Sequence, residues 1–203
     1  MSDLHKALAD IGNIRQLLAA GTMFRGFGPL VIAGTGALAM AAAAAQSMLG
    51  PAPDAMTFVA VWTTVAILAA ILIGTEMVAR SRRHHGGLAD VMLFNAVEHF
   101  LPVGAAGATL CLVLLKFAPD VAWLLPGLWS ILLGVGLFVT MRFLPRSISI
   151  AAAWYFLAGT TVLIVASQTR TLSPWMMGIP FGLGQLLMSA LLHLAMGSDD
   201  EQT

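Results

Sequence analysis

Four ionisable side chains fall at or inside long apolar stretches of the chain: Glu76, Glu98, His99 and His193. Charged groups are costly in hydrocarbon, so residues of this kind are rare in membrane segments unless they have a role. Asn95 precedes Glu98 and His99 by about one helical turn and would line the same approach. These five residues form a candidate intramembrane polar cluster.

The chemistry that suits this cluster is a proton or ion relay, in which carboxylates carry the charge and histidines titrate near neutral pH. A metal site of His99, His193 and a glutamate is less favoured, because no HxxxH or ExxH pair falls on one helix. We therefore predict no metal ligand. A purely structural explanation stays open, since Glu76 can pair with Arg80 and Glu98 can cap its helix.

A catalytic arrangement is a further alternative. Gln185, Ser189 and His193 are spaced one helical turn apart, so a nucleophile and a base would share one helix face. A serine in a membrane helix commonly bonds its own backbone, however. We predict no catalytic residue and favour a protein that is not an enzyme.

Six apolar stretches must position these residues, and each has the roughly 20 residues that a helix needs to cross a bilayer. They cover residues 28–49, 56–78, 94–116, 121–141, 147–167 and 174–196. The chain has 203 residues, of which 59% are hydrophobic and 10% charged, whereas a soluble domain is about 25% charged. The sequence predicts an all-α fold: a polytopic membrane bundle of six transmembrane helices.

A different segment precedes these stretches, with apolar residues at helical spacing: Leu4, Leu8, Ile11, Ile14, Leu17 and Leu18. This pattern predicts an N-terminal amphipathic helix on the membrane surface or against the bundle, with a partner helix as the alternative. We divide the chain into a cytoplasmic amphipathic segment (1–26), a transmembrane domain (27–197) and a short acidic cytoplasmic tail (198–203).

Basic residues set the predicted orientation. If the six stretches alternate across the membrane, eight of the ten fall on one side: Lys6, Arg15, Arg25, Arg80, Arg82, Arg83, Arg142 and Arg146. Lys116 and Arg170 fall on the other. The positive-inside rule then predicts that both termini are cytoplasmic. We assign Arg80, Arg82 and Arg83 to contact with anionic lipid or, alternatively, with a protein partner.

Small and aromatic residues predict how the helices pack. Residues with small side chains recur every four positions in the first and last stretches, at Ala37, Ala41 and Ala45 and at Gly178 and Gly182. Such repeats let two helix backbones approach closely. Four tryptophans near the ends of the stretches are expected to anchor helices at the interface: Trp123, Trp129, Trp154 and Trp175.

Composition excludes several other functions. Ten basic and ten acidic residues give no net charge, so we predict no nucleic-acid partner. The single cysteine, Cys111, lies in an apolar stretch and is expected to be a small buried hydrophobe without a disulfide. We predict no cofactor.

Four further stretches carry a family resemblance: "IRQLLAAGTMFRGFGPLVIAGTGALA", "EMVARSRR", "LLPGLWSILLGVG" and "GIPFGLGQLLMSALLH". They resemble an uncharacterised family of small bacterial six-helix integral membrane proteins, and the resemblance covers most of the chain. It implies a location in the bacterial inner (plasma) membrane and assigns no functional residue.

Taken together, these features favour a non-enzymatic sensor, regulator or assembly partner acting through its cytoplasmic face. Its partners would be the lipid bilayer and a membrane or cytoplasmic protein. The alternative is a small transporter or proton/ion carrier that uses the Glu/His cluster.

Overall fold

The computed structural model describes residues 28–49, 53–84, 89–140 and 147–200. This part of the chain contains six α-helices, one 3₁₀ helix and no strand. The α-helices are α1 (Pro29–Met48), α2 (Ala55–His84), α3 (Ala89–Phe117), α4 (Leu125–Thr140), α5 (Ile148–Thr169) and α6 (Trp175–Asp200), and the 3₁₀ helix (Pro119–Leu124) precedes α4.

Each α-helix contributes one segment long and apolar enough to cross a membrane. These segments are Pro29–Met48, Ala55–Ala79, Phe100–Phe117, Pro119–Thr140, Ile148–Thr169 and Trp175–Ala195. The prediction of an all-α bundle of six membrane helices is therefore confirmed, and the architecture is that of a multi-pass membrane protein. The predicted amphipathic helix within 1–26 lies outside the described residues.

The helices form a ring that is closed by the first and the last. Each helix packs against its neighbour in sequence, and α1 packs extensively against α6. Contacts between α4 and α6 also cross the interior. The chain therefore brings together two helices that lie at opposite ends of the described sequence.

Small residues let α1 and α6 approach each other closely. A Cβ on Gly36 would lie 2.9 Å from the carbonyl oxygen of Gly182, and a Cβ on Gly182 would lie 2.6 Å from Cγ of Met40. A Cβ on Gly178 would collide with Cβ of Ala43. Gly36 contacts Gly182, and the later residue Ala43 contacts the earlier residue Gly178. The two helices are therefore antiparallel.

The predicted packing stripe is right on α6 and wrong on α1. Gly178 and Gly182 lie in the helix contact, whereas the side chains of Ala37, Ala41 and Ala45 are exposed on the outside of the bundle. The α1 side of the contact is made by residues in another register, such as Gly36 and Ala43. An apolar helix in a membrane shows little difference between faces, so residue spacing alone gave the wrong face.

A second close pair is formed by α4 and α5. A Cβ on Gly127 would lie 2.8 Å from the carbonyl oxygen of Gly159, and a Cβ on Gly159 would lie 2.8 Å from that of Gly127. The two backbones are in direct contact at this point. Only glycine fits at either position without moving a helix.

Tryptophans donate hydrogen bonds across three helix pairs. Nε1 of Trp62 donates to Oε1 of Gln46 on α1 at 3.0 Å. Nε1 of Trp129 donates to the Gly107 carbonyl on α3 at 3.1 Å. Nε1 of Trp154 donates to a carbonyl on α6, that of Pro180, at 3.0 Å. Trp129 and Trp154 therefore join helices, a role beyond the anchoring predicted for them.

The start of α2 and the end of α5 have well-defined caps. Asp54 precedes α2 and accepts hydrogen bonds from the backbone N–H of Thr57 at 2.9 Å and from its hydroxyl at 2.7 Å. These bonds favour the carboxylate and lower the pKa of Asp54 below its ordinary value. Arg170 ends α5 in the left-handed conformation, with φ of 51°.

Candidate functional site

Four of the five cluster residues and the three arginines of the basic patch lie on the helix pair α2–α3. Glu76 and Arg80, Arg82 and Arg83 are on α2, and Asn95, Glu98 and His99 are on α3. The apolar segments of these two helices are also the least buried of the six. Within the most apolar run of 18 residues of each segment, 6% of the residues are buried in α3 and 17% in α2, compared with 44% in Pro119–Thr140.

Exposure differs among the cluster side chains that the structure describes. Glu76 is half-buried on α2, whereas Glu98 is exposed on α3. The side chains of Asn95 and His99 lie outside the described part, although their backbone belongs to α3. The packing of α2 on α3 places Glu76 and Glu98 on adjacent helices.

His193 does not lie on the α2–α3 pair that carries the other four cluster residues. It is exposed on α6, and α6 packs against α1, α5 and α4. The hairpin with Glu76 and Glu98 packs against α1 and α4 at its two edges. Convergence of His193 with the glutamates in one site therefore stays a prediction.

Pro102 leaves one backbone carbonyl of α3 without its usual donor. Proline has no N–H, so the carbonyl oxygen of Glu98, four residues earlier, receives no helical hydrogen bond from it. Glu98 also lies just before the apolar segment Phe100–Phe117. Glu98 therefore combines an exposed side chain with a backbone carbonyl that has no N–H donor at position 102.

Ser189, the middle residue of the face formed by Gln185, Ser189 and His193, lies in the contact with α1. The Ser189 hydroxyl donates to the carbonyl oxygen of Pro29 on α1 at 2.6 Å. Its proton therefore points to a backbone acceptor and not to a base. His193 is exposed one turn further along. The geometry does not support Ser189 as a nucleophile.

Sequence reasoning overlooked two buried polar residues, Gln46 and Tyr155. Gln46 is 2% exposed and Tyr155 1% exposed. The amide nitrogen Nε2 of Gln46, the hydroxyl of Tyr155 and the amide oxygen Oε1 of Gln185 have no hydrogen-bond partner. The available signal was a single glutamine in the first apolar stretch and the only tyrosine of the chain in the fifth.

Metal ligation finds no support among the residues that the structure describes, because no three His, Cys, Asp or Glu side chains are grouped to hold an ion. His99 lies outside that comparison. Cys111 is half-buried and free.

Comparison with known proteins found no match for this chain. No protein-family model matches it, and neither does any curated protein or any solved structure. Function must therefore be argued from the chain's own residues.

Proposed function

We propose that this membrane protein is a non-enzymatic sensor, regulator or assembly partner that acts through the cytoplasmic face of the α2–α3 hairpin. The observation that carries the proposal is that the two helices with the least buried apolar segments also bear four of the five cluster residues and Arg80, Arg82 and Arg83. An ionisable residue inside a membrane segment is costly, and Glu76 lies within the segment Ala55–Ala79. Polar contact with a partner helix, or contact of the arginines with anionic headgroups, would use these residues.

Lipid tails offer an apolar helix about the same environment as another helix does, so burial alone does not hold helices together in a membrane. Association depends on close packing and polar contacts. The α2–α3 hairpin has a large exposed surface with Glu98 at its edge. That combination suits contact with another membrane protein better than the tightly packed α4–α5 pair does.

The proposed location is the bacterial inner membrane, with both termini in the cytoplasm. The distribution of basic residues supports this orientation. Lys116 lies at the C-terminal end of the apolar segment Phe100–Phe117, and Arg170 follows the segment Ile148–Thr169. Arg80, Arg82 and Arg83 lie at the C-terminal end of α2, which is on the other side of the membrane if successive helices alternate in direction. The bacterial setting rests on the family resemblance described above.

Photocrosslinking in the native membrane tests this function. A photoreactive residue at Leu101, which is 65% exposed on α3 near Glu98, is compared with one at Ile150, which is 54% exposed near the start of α5. We expect one discrete protein adduct from position 101 and diffuse lipid adducts from position 150. Replacing Arg80, Arg82 and Arg83 with glutamine is expected to weaken the adduct. Identical patterns at both positions would contradict the proposal.

The alternative function is a small proton or ion carrier that uses the Glu/His cluster, and the exposed Glu98 beside the apolar segment of α3 favours it. Purified protein in liposomes would then support proton or cation flux across the bilayer. The Glu98→Gln variant, which keeps the shape but removes the charge, would abolish that flux. Absence of flux in the unmodified protein would exclude this alternative.

A further inference from the structure

Helix α2 is anchored to the bundle at two levels and is uncovered between them. Phe58, Val59 and Trp62 are buried near its start. Met77 is buried about two turns before its end. Between these two levels, no residue of 63–76 is buried, and this stretch makes about four helical turns. The middle of α2 therefore lacks the cover that both of its ends have.

The uncovered stretch interrupts a face of α2 that is buried on either side of it. Ala66 and Ala70 follow Val59 by 7 and 11 residues and precede Met77 by 11 and 7. At this spacing the four residues share one side of the helix. Val59 and Met77 are buried, whereas both alanines are exposed. The two alanines thus leave an opening in a face that otherwise packs against the bundle.

Helix α3 is open at the same level. Gly104 is exposed, and nothing lies within 4 Å of the position its Cβ would take. It shares a helix side with Phe100 and Cys111, which both pack against the buried core. Ala70 lies 14 residues before the end of α2, and Gly104 lies 15 residues after the start of α3. Antiparallel packing of these consecutive helices therefore puts Ala70 and Gly104 at one level.

The opening marked by Ala66, Ala70 and Gly104 suits a narrow apolar ligand. Ala70 lies nine residues from the end of the apolar segment Ala55–Ala79, which is about 14 Å along the helix. Another helix does not fit between α2 and α3, because two packed helices need about 8–10 Å between their axes and α2 already packs against α3. A single lipid acyl chain is the narrow apolar group that a bilayer supplies.

Charge at the end of α2 indicates which lipid this is. Arg80, Arg82 and Arg83 follow the segment Ala55–Ala79 directly, and basic residues at such a position attract anionic headgroups. The distance of about 14 Å from Ala70 to the end of that segment is close to half of the roughly 30 Å hydrocarbon thickness. A lipid whose headgroup lies at the arginines therefore reaches the opening with the end of its acyl chain.

We propose that the opening between α2 and α3 binds one acyl chain of an anionic phospholipid, whose headgroup lies at Arg80, Arg82 and Arg83. The proposal goes beyond the proposed function and does not rest on it. A protein partner would contact the outer surface of the hairpin near Leu101, whereas the acyl chain enters between the two helices. An occupied opening would make the packing of α2 on α3 depend on the anionic lipid content of the membrane.

Phospholipids with a photoactivatable diazirine at the end of the acyl chain test the site. The protein is reconstituted in phosphatidylcholine vesicles with a trace of a phosphatidylglycerol or a phosphatidylcholine probe, and labelled residues are mapped by mass spectrometry. We expect the anionic probe to label the stretches around Ala70 and Gly104 at least about threefold more than the zwitterionic probe. Unlabelled phosphatidylglycerol should compete with this labelling, but not with labelling of Leu157, which is exposed on α5.

Two variants separate the acyl chain from the headgroup. Gly104→Leu fills the opening and should lower labelling by the anionic probe at least about threefold. Its matched control is Gly34→Leu, which should change nothing, because Gly34 is also exposed with nothing within 4 Å of its Cβ position but lies on α1. Replacing the three arginines with glutamine should remove the preference for the anionic probe.

Equal labelling of the α2–α3 opening by both probes in the unmodified protein would overturn the proposal, because it would show ordinary contact with bilayer lipid. This result is decisive even if a variant fails to fold. Labelling that stays the same in Gly104→Leu would also overturn it. Neither outcome affects the protein adduct expected from position 101, so failure of this proposal is distinguishable from failure of the proposed function.

Discussion

The indole nitrogen of Trp62 and the amide oxygen of Gln46 lie 3.0 Å apart and join α2 to α1. An indole N–H can only donate, so this bond fixes which end of the Gln46 amide faces Trp62. The amide nitrogen is then directed into the apolar core and has no acceptor. One interhelical bond therefore leaves a second polar group of the same side chain unpaired.

Removal of the Trp62 donor should destabilise the bundle. In Trp62→Phe, the amide oxygen of Gln46 loses its partner, and a buried unpaired acceptor costs about 1–3 kcal/mol. We expect a lower unfolding midpoint in detergent, measured by circular dichroism. The double variant Trp62→Phe with Gln46→Met removes both polar partners and should recover part of the loss. A double variant less stable than Trp62→Phe would show that the polar pair is not the cause.

Contact between α4 and α5 should tolerate no added methyl group. In Gly159→Ala, the new Cβ would lie 2.8 Å from the Gly127 carbonyl oxygen and 3.0 Å from the backbone nitrogen of Ile131. Neither backbone atom can move without the helix, so we expect the unfolding midpoint to fall, with a loss of about 1–3 kcal/mol from overpacking.

Gly34 offers the matched control for this substitution. It lies within α1, and nothing stands within 4 Å of the position its Cβ would take. Gly34→Ala should therefore stabilise the protein by about 0.5–1 kcal/mol through helix propensity. Equal losses at positions 34 and 159 would mean that the α4–α5 contact is looser than described.

The cap at the start of α2 should depend on pH. Folding lowers the pKa of Asp54, because the backbone N–H and then the hydroxyl of Thr57 bond the carboxylate. A lowered pKa gives stability that is present above the ordinary value of 3.8 and lost as pH falls through the lower folded-state value. Below the folded-state pKa of Asp54, amide hydrogen exchange in the first turn of α2 should therefore be faster than expected from its pH dependence above pH 3.8.

The variant Asp54→Asn separates the contribution of the helix cap from that of the titrating carboxylate. Asparagine also caps helices but does not titrate, so the variant should keep the cap and show no acid-dependent acceleration in that turn. An unchanged acid response in Asp54→Asn would assign the effect to another group.

Arg170 provides a position where substitution should stabilise. Its left-handed backbone, with φ of 51°, costs a residue with a Cβ about 1–2 kcal/mol, and glycine avoids that cost. Arg170→Gly should raise the unfolding midpoint, by less than the full amount because glycine also gains entropy when unfolded. Arg170→Ala keeps the Cβ and should bring no such gain. A gain of equal size in both variants would point to charge rather than to backbone conformation.

Hydropathy was enough to predict the six membrane helices, because their length and apolar character are local properties of the sequence. It could not predict their rotation. Ala37 and Gly36 are adjacent small residues on one apolar helix, yet one faces outward and the other meets α6. In a membrane both environments are apolar, so no periodic pattern distinguishes them.

For the candidate site, too, positions along the helices could be predicted from the sequence, whereas contacts between helices could not. The apolar stretches correctly predicted that Glu76 lies near the end of the apolar segment of α2 and that Glu98 lies near the start of that of α3. The bond from Ser189 to Pro29 could not, because it joins residues 160 positions apart and depends on closure of the ring. Tyr155 and Gln46 were overlooked because what distinguishes them is a buried polar atom without a hydrogen-bond partner. Which atoms are buried and unpaired depends on how the helices pack.

Closure of the ring by α1 and α6 has a consequence for biogenesis. A ribosome makes Pro29 160 residues before Ser189, which at about 5–20 residues per second takes roughly 8–32 s. Until α6 emerges, the Gly36 and Ala43 surface of α1 has to be covered by lipid or by the insertion machinery. Docking of α6 then displaces that temporary cover, so a chain interrupted before α6 keeps the Gly36 and Ala43 surface of α1 without its helix partner.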